Sequence, residues 1–580
     1  MPLLADGNIR VPQLFGKKGL RLWNFLPVKK QYLWGGTFKM TRQDGSRSQH
    51  RGIAMGQGGI VAAASPLAIS YGLQALEQGG TAMDAALAAA FVTTVVLPDQ
   101  CGIGGDAFIL FYDAKLKTVT SIIGAGVSPM GLTADYFLEQ GIERMPLYGI
   151  HAISVPGAVA AYQEGWKRYS RLTWKWLWQR AIGYARCGVP IGEVTAEHIQ
   201  NEREKILLEP ALTQLFWPNH RHLTAGDILY QPALAATLES IVESEGESFY
   251  RGTLGKRIVQ TLKSRGSFFD GSEWMTMKAE VKDPFSITYR GKRVYTTPLP
   301  SQGFITLEAL NLIEPFHLAD YGYLNPRAIH LMAEALRRGF KDRLMLVEIG
   351  RDDVVRQLLD KKYAQRRIAE FGVDRSGSIG SDWARFLGDT TFIVSADIHG
   401  NVACLIHSLG HSFGSGIVAG DTGVLLNNRA GRGFSLHSGS NQLAPRKQTM
   451  HTLMAWMVTD EEGNLEWAGG TPGGDGQPQW NLQLLVDLID WRLNVQEAVE
   501  SPRWTLYPGT DSNVIGQSEE FRIEERTGHE VLHALRTLGY PLKIQSPWGA
   551  GGGAQIIARG AHGIWQGGSD PRVDGAVGVL

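Results

Sequence analysis

The stretch Gly388-Asp389-Thr390-Thr391-Phe392-Ile393-Val394-Ser395-Ala396-Asp397-Ile398-His399-Gly400-Asn401-Val402-Ala403-Cys404-Leu405-Ile406-His407-Ser408 decides the reading of this chain. Two apolar runs, Thr391 to Ala396 and Val402 to Ser408, flank a turn carrying Asp397, Gly400 and Asn401. That is the pattern of an antiparallel hairpin. Taken alone, Asp389-Thr390-Thr391 ahead of the first run is an ordinary turn with β-branched residues. Two downstream loops could face it, Leu426-Asn427-Asn428-Arg429 and Gly470-Thr471-Pro472-Gly473-Gly474.

Working outward, the last third repeats the pattern. Met454 to Thr459 pairs with Leu465 to Ala468, and Ala554 to Ala558 with Ile564 to Gln566, each around a turn. Helical spacing falls between these pairs at Asn481 to Arg492 and Glu530 to Leu538. Upstream, Ser65-Pro66 opens a helix to Gln78, since proline suits the first helical position. Thr81 to Asp84 is a capping-box start for an Ala-rich helix to about Val96, stopped by Pro98. Phe108 to Tyr112 and Thr118 to Ile123 read as a hairpin, and residues 150 to 370 as mostly helical, including Pro326 to Arg343. Strand pairs alternating with helices predict an α+β sandwich of sheets covered by helices.

The 580 residues carry 57 Lys+Arg and 57 Asp+Glu, so the formal charge is zero and no basic excess points to nucleic acid or an anionic membrane. Cys101, Cys187 and Cys404 lie far apart and form no CxxC pair, which argues against a disulfide framework or a zinc knuckle. Residues 1–50 form a polar, basic leader without a signal-peptide core, and Ala85 to Leu97 is too short to span a bilayer. The expectation is a soluble, cytoplasmic protein with neither metal nor cofactor.

Several motifs compete for the chemistry. Gly410-His411-Ser412-Phe413-Gly414 has the G-x-S-x-G form of a serine hydrolase elbow, but the helix that must follow is missing, because Ser415 to Leu426 reads as glycine-broken loop and strand. His407 and His411 have metal-pair spacing without a helix to present them or a glutamate to accompany them. They read as ordinary polar histidines, and His220-Arg221-His222 as loop surface. Gly102-Ile103-Gly104-Gly105 leads into a strand rather than a helix, the wrong order for a dinucleotide turn.

Nine blocks in the same order as the family's make the chain resemble the γ-glutamyltranspeptidases, which are N-terminal-nucleophile hydrolases. Upstream they are Val61 to Ala68, Gly79 to Ala85, Gly102 to Phe108, Ser154-Val155-Pro156-Gly157, and Glu334-Ala335 through Asp342-Arg343. Downstream they are Asp389-Thr390-Thr391, Leu425 to Asn428, Thr471-Pro472-Gly473-Gly474, and Ser569-Asp570-Pro571-Arg572. The resemblance implies a four-layer αββα fold and self-cleavage between Asp389 and Thr390. The divisions would be a leader 1–50, a large subunit 51–389 and a small subunit 390–580, paired as a heterodimer and acting on a small-molecule amide. By resemblance Thr390 is the nucleophile, Ser408 the hydroxyl bonded to it, and Gly473 and Gly474 the oxyanion loop. A threonine hydroxyl needs a base. Cleavage would give Thr390 its own α-amine, with a pKa of about 7.7–8.0, close enough to working pH to serve.

The departures from the family concern what holds a γ-glutamyl group. The family's carboxylate-clamping arginine reads Ala125, its paired serines read Gln448-Thr449, and its amine-holding asparagine reads Gly410. Beyond Asn428, two cations, Arg429 and Arg432, stand where ammonium-binding Gln and Asp usually lie. Alanine cannot replace a bidentate arginine. Asn428, Arg429, Arg432, Gln448 and Thr449 are therefore candidates for holding the substrate. The expected function is γ-glutamyl amide hydrolysis or transfer, as for glutathione by family. The alternative is hydrolysis of a small acidic amide, as in the oxamate amidohydrolases that resemble the family. A plainer reading turns both arginines to solvent.

Overall fold

The computed structural model describes residues 49–368, 390–507, 509–510 and 518–580, which belong to one compact unit, Arg47–Leu580. Most of the leader and the Gly388-Asp389 half of the expected cleavage site lie outside the described residues.

Two seven-stranded sheets organise the chain. In spatial order the first runs Ala576–Val579, Gly59–Ala63, Thr391–Asp397, Val402–Ser408, Asp106–Asp113, Thr118–Gly124, Glu280–Lys282. The second runs Ala54–Gly56, Trp565–Ser569, Gln555–Arg559, Leu465–Gly470, Trp456–Thr459, Lys292–Thr296, Phe285–Tyr289. Every neighbouring pair in both is antiparallel.

Strand alternation sorts the side chains into layers. On the strand Thr391–Asp397, Phe392, Val394 and Ala396 enter an apolar layer with Met457, Ala468, Ile557 and Trp565 of the second sheet. Ile393 faces the other way, toward the helices Pro66–Glu77 and Ala82–Val96. The second sheet is covered on its far side by the helices Phe304–Ile313, Pro326–Met345 and Gly476–Ile489. The order is helix, sheet, sheet, helix, the expected αββα sandwich.

Local signals held where chemistry fixed them. Pro66 stands in the first turn of its helix, although the Ser65 side chain makes no cap bond. Thr81 and Asp84 form a full capping box, which typically contributes about 1 kcal/mol. The expected helix over Asn481–Arg492 begins earlier, at Gly476, because the glycine-rich loop ahead of it turns straight into helix. The expectation of mostly helix over 150–370 missed the hairpin of Phe285–Tyr289 with Lys292–Thr296. Its turn is Arg290-Gly291, both at positive φ.

Candidate active site

The hairpin brings Thr390 and Ser408 together at the open end of neighbouring strands. The Thr390 hydroxyl donates to Ser408 Oγ at 3.1 Å, and Ser408 Oγ also accepts the Gly410 N–H at 2.8 Å. Both residues are buried. Continued alternation puts both on the inter-sheet face, whereas Thr391 points to the helices and donates to Gln100 Oε1 at 3.0 Å.

Across the gap, the strand Leu465–Gly470 ends with Gly470 against the ring of Phe392, where a Cβ would overlap the ring. The Thr471–Gly474 loop therefore starts beside the strand Thr391–Asp397. Gly473 and Gly474 have φ of 124° and 54°, a region glycine enters freely. A Cβ on Gly473 would overlap Trp480, and one on Gly474 would overlap Arg432 Nη2. The N–H groups of Gly473 and Gly474 donate to no acceptor among the described residues. Two backbone donors in a buried turn are the equipment of an oxyanion site.

Among the candidate substrate residues, Arg432 reaches this loop. The helix Arg429–Gly433 is short and buried, with Arg429 and Arg432 only 2% and 1% exposed, so neither turns to solvent. Arg432 Nη1 donates to the Gly410 carbonyl at 3.0 Å, which lays its guanidinium between Gly410 and Gly474. Arg429 Nη1 donates to Thr452 Oγ1 at 3.3 Å, and its Nε stands 3.6 Å from Asp106 Oδ2. Asp106 is paired with Ser408 across the sheet. Burial pushes its carboxyl up to about 6 against the pull of Arg429 and of the Gly157 and Gly126 N–H groups. His451 Nδ1 accepts the Leu453 N–H, which leaves Nε2 to donate to Asp106 Oδ2 at 3.0 Å.

Asn428 is engaged within the loop itself. Its Oδ1 accepts the His411 N–H at 3.1 Å and its Nδ2 donates to the Leu147 carbonyl at 3.0 Å. Its Oδ1 also fills the space a Cβ on Gly410 would need, which explains the glycine there. Gln448 donates to the Ala125 carbonyl at 3.0 Å, so the residues at the missing arginine and serine positions are neighbours. Thr449 is buried, donates to Asn441 Oδ1 at 3.3 Å, and packs against Gly433.

The competing motifs part company with this site. Beyond Ser412 the chain turns through Phe413 and Gly414 at positive φ and no helix follows directly. His407 faces the helices, accepting from Tyr162 Oη at 2.6 Å while its Nε2 donates to Thr93 Oγ1 at 3.0 Å. Burial lowers it to about 3. His411 is held well below the ordinary histidine value by burial and by Arg432, Lys205 and Arg429. The two histidines thus sit among different neighbours. Reasoning from sequence assigned no role to Asp106, His451, Gln302, Arg343 or Asp475. Asp106 and Arg343 lie inside the quoted family blocks, which was the one available signal.

Comparison with known proteins decides the family: residues 68–580 match the family model described as gamma-glutamyltranspeptidase. The chain belongs to the γ-glutamyltranspeptidase family. As a γ-glutamyltranspeptidase-family protein it is an enzyme of the N-terminal-nucleophile hydrolase and acyltransferase class. It is 34% identical to the glutathione hydrolase-like YwrD proenzyme of Bacillus subtilis over 88% of this chain and 97% of that protein. It is 30% identical to the oxamate amidohydrolase proenzyme of Klebsiella pneumoniae over 89% and 98%. Among solved structures, cephalosporin acylase from Bacillus halodurans aligns with a TM-score of 0.83 and 31% identity, covering 93% of this chain and 99% of that one. Among the described residues no helix is long and apolar enough to cross a membrane.

Proposed function

We propose that this family member is made as a precursor, cuts itself between Asp389 and Thr390 into residues 1–389 and 390–580, and uses the freed Thr390 as nucleophile in amide hydrolysis. The observation that carries the reading is the 3.1 Å bond from Thr390 to Ser408 at the mouth of the sheets. In the precursor, Thr390 Oγ gives up its proton and attacks the Asp389 carbonyl. The C–N bond breaks, so that an ester replaces the peptide bond and the protonated α-amine is freed. Water then hydrolyses the ester to the Asp389 carboxylate and the Thr390 hydroxyl. In turnover that amine takes the hydroxyl proton as Oγ attacks the substrate carbonyl. The N–H groups of Gly473 and Gly474 receive the developing oxyanion. The leaving amine departs with the proton, and water then cleaves the Thr390 ester.

The acyl group we infer is small, anionic and without an α-ammonium. Ala125 offers no clamp for an α-carboxylate, and two buried guanidiniums line the space where the family usually holds an ammonium. A like charge there is repelled, whereas a carboxylate fits arginine's paired donors. The relatedness to an oxamate amidohydrolase and to a cephalosporin acylase supports acyl groups other than γ-glutamyl.

N-terminal sequencing of purified active protein should find a chain beginning Thr-Thr-Phe-Ile. An uncut chain whose activity survives Thr390→Ala overturns the nucleophile. Oxamate and glutaryl-p-nitroanilide should be turned over faster than γ-glutamyl-p-nitroanilide, whose acyl group differs from glutaryl by one amino group. Preference for the γ-glutamyl compound overturns the acyl assignment alone.

A further inference from the structure

Gly474 is held partly from its own loop and partly from elsewhere in the chain. At φ of 54° a glycine samples several wells, and its N–H can swing as the flanking peptide planes turn. Both planes are pinned. The Gly473 carbonyl accepts the Gly476 N–H at 2.8 Å, which fixes the plane that carries the Gly474 N–H. The Gly474 carbonyl accepts the Gln477 N–H at 3.1 Å and, from a different part of the chain, Gln302 Nε2 at 2.9 Å.

Gln302 sits just ahead of the helix Phe304–Ile313 and is fully buried. An amide side chain can present either its oxygen or its nitrogen, and the wrong choice would set two acceptors against each other. Arg343 makes the choice. Its Nη1, which can only donate, reaches Gln302 Oε1 at 2.8 Å. Nε2 is thereby turned to the carbonyls of Gly474 and of Thr452, the latter at 3.3 Å. The same Nη1 lies 3.0 Å from Asp475 Oδ1, on the residue next to Gly474, and also bonds Thr510. Arg343 is 4% and Asp475 1% exposed, so the chain of bonds runs in a water-poor interior where geometry is held tightly.

We propose that Gln302, set in its orientation by Arg343, is a positioning residue that aims the Gly474 N–H at the oxyanion. The inference rests on the reading of Gly473 and Gly474 as the oxyanion loop. It adds that residues before the cleavage point set the geometry of a catalytic element that lies after it. Neither Gln302 nor Arg343 touches substrate in this account. Their influence is on the transition state, where charge develops, and not on the ground state.

The test compares full-length wild type with Gln302→Ala, Gln302→Glu and Arg343→Lys, after self-cleavage, on the best of the three substrates above. Gln302→Ala should lower kcat about 10- to 100-fold with KM within about twofold, as for a donor that is displaced rather than removed. Gln302→Glu keeps the shape but faces the Gly474 carbonyl with an oxygen, and should be at least as impaired. Arg343→Lys keeps the charge but loses the fixed fork, and should fall between wild type and Gln302→Ala. Gln302→Asn, which keeps the donor on a shorter stem, serves if Gln302→Ala does not fold, and should likewise lose kcat at constant KM. Wild-type kcat in a folded Gln302→Glu overturns the proposal, as does a loss seen only in KM. Thr390→Ala separates the two levels: if it remains active, the oxyanion-loop reading fails with it, whereas a dead Thr390→Ala beside wild-type-like Gln302 variants refutes the positioning role alone.

Discussion

Arg432 Nη2 occupies the place where a side chain on residue 474 would have to go. The guanidinium and the glycine therefore constrain each other: the loop stays glycine because arginine stands behind it, and arginine stays placed because the loop leaves room.

Gly474→Ala tests that constraint. The methyl must displace Arg432 while sitting at a φ of 54° that alanine resists. We expect kcat to fall about 10- to 1,000-fold as the oxyanion donor is displaced, with weaker binding of anionic acyl groups as Arg432 moves. Steady-state kinetics on glutaryl-p-nitroanilide reads both, and an alanine variant with unchanged kcat would refute the loop's assignment.

Ser408 accepts hydrogen bonds from Thr390 and from the Gly410 N–H. Ser408→Ala removes an acceptor worth about 1 kcal/mol or somewhat more at each. Both self-cleavage and turnover should slow roughly tenfold or more, while Ser408→Thr, which keeps the hydroxyl, should stay near wild type. Time courses of precursor loss on denaturing gels, with kcat beside them, check the pair.

His407 predicts a pH-dependent stability unrelated to catalysis. Its folded-state value of about 3 lies below the ordinary 6.5, so the unfolded chain binds a proton that the folded one refuses. Its contribution is complete above about 6.5 and is lost progressively as pH falls toward 3, on the order of 5 kcal/mol across that window. Melting temperatures of wild type and His407→Gln between pH 7 and 4 should converge as pH drops. Parallel curves would show that another group controls the acid limb.

The hairpins of the last third were legible because apolar runs met at turns, and each pair is antiparallel in the structure, the middle one with a register shift between Val458 and Thr459. The hairpin at 285–296 was missed although Phe285-Ser286-Ile287-Thr288-Tyr289 alternates strictly, since its Arg290-Gly291 turn and its basic second strand broke the apolar pattern. At the candidate site, order along the chain singled out Thr390, Ser408 and the glycine loop, which lie in or beside named motifs. What order could not supply was the partner of each group. Gln302 meets Gly474, and Arg343 meets Gln302 and Asp475, only because the second sheet's helices fold behind that loop. Nor does spelling tell whether Arg429 and Arg432 face water. Burial of a cation depends on what surrounds it, here Asp106, Thr452 and the Gly410 carbonyl.

Each sheet interleaves strands from both sides of residue 390. Gly59–Ala63 and Asp106–Asp113 flank the hairpin that follows the proposed cut, and Lys292–Thr296 lies beside Trp456–Thr459. Severing one peptide bond would therefore leave two polypeptides laced through each other, held by ladders that neither can complete alone. Such a product would come apart only by melting. Reassembly would then be a second-order encounter, slowing on dilution, where the unbroken precursor folds at a rate indifferent to concentration.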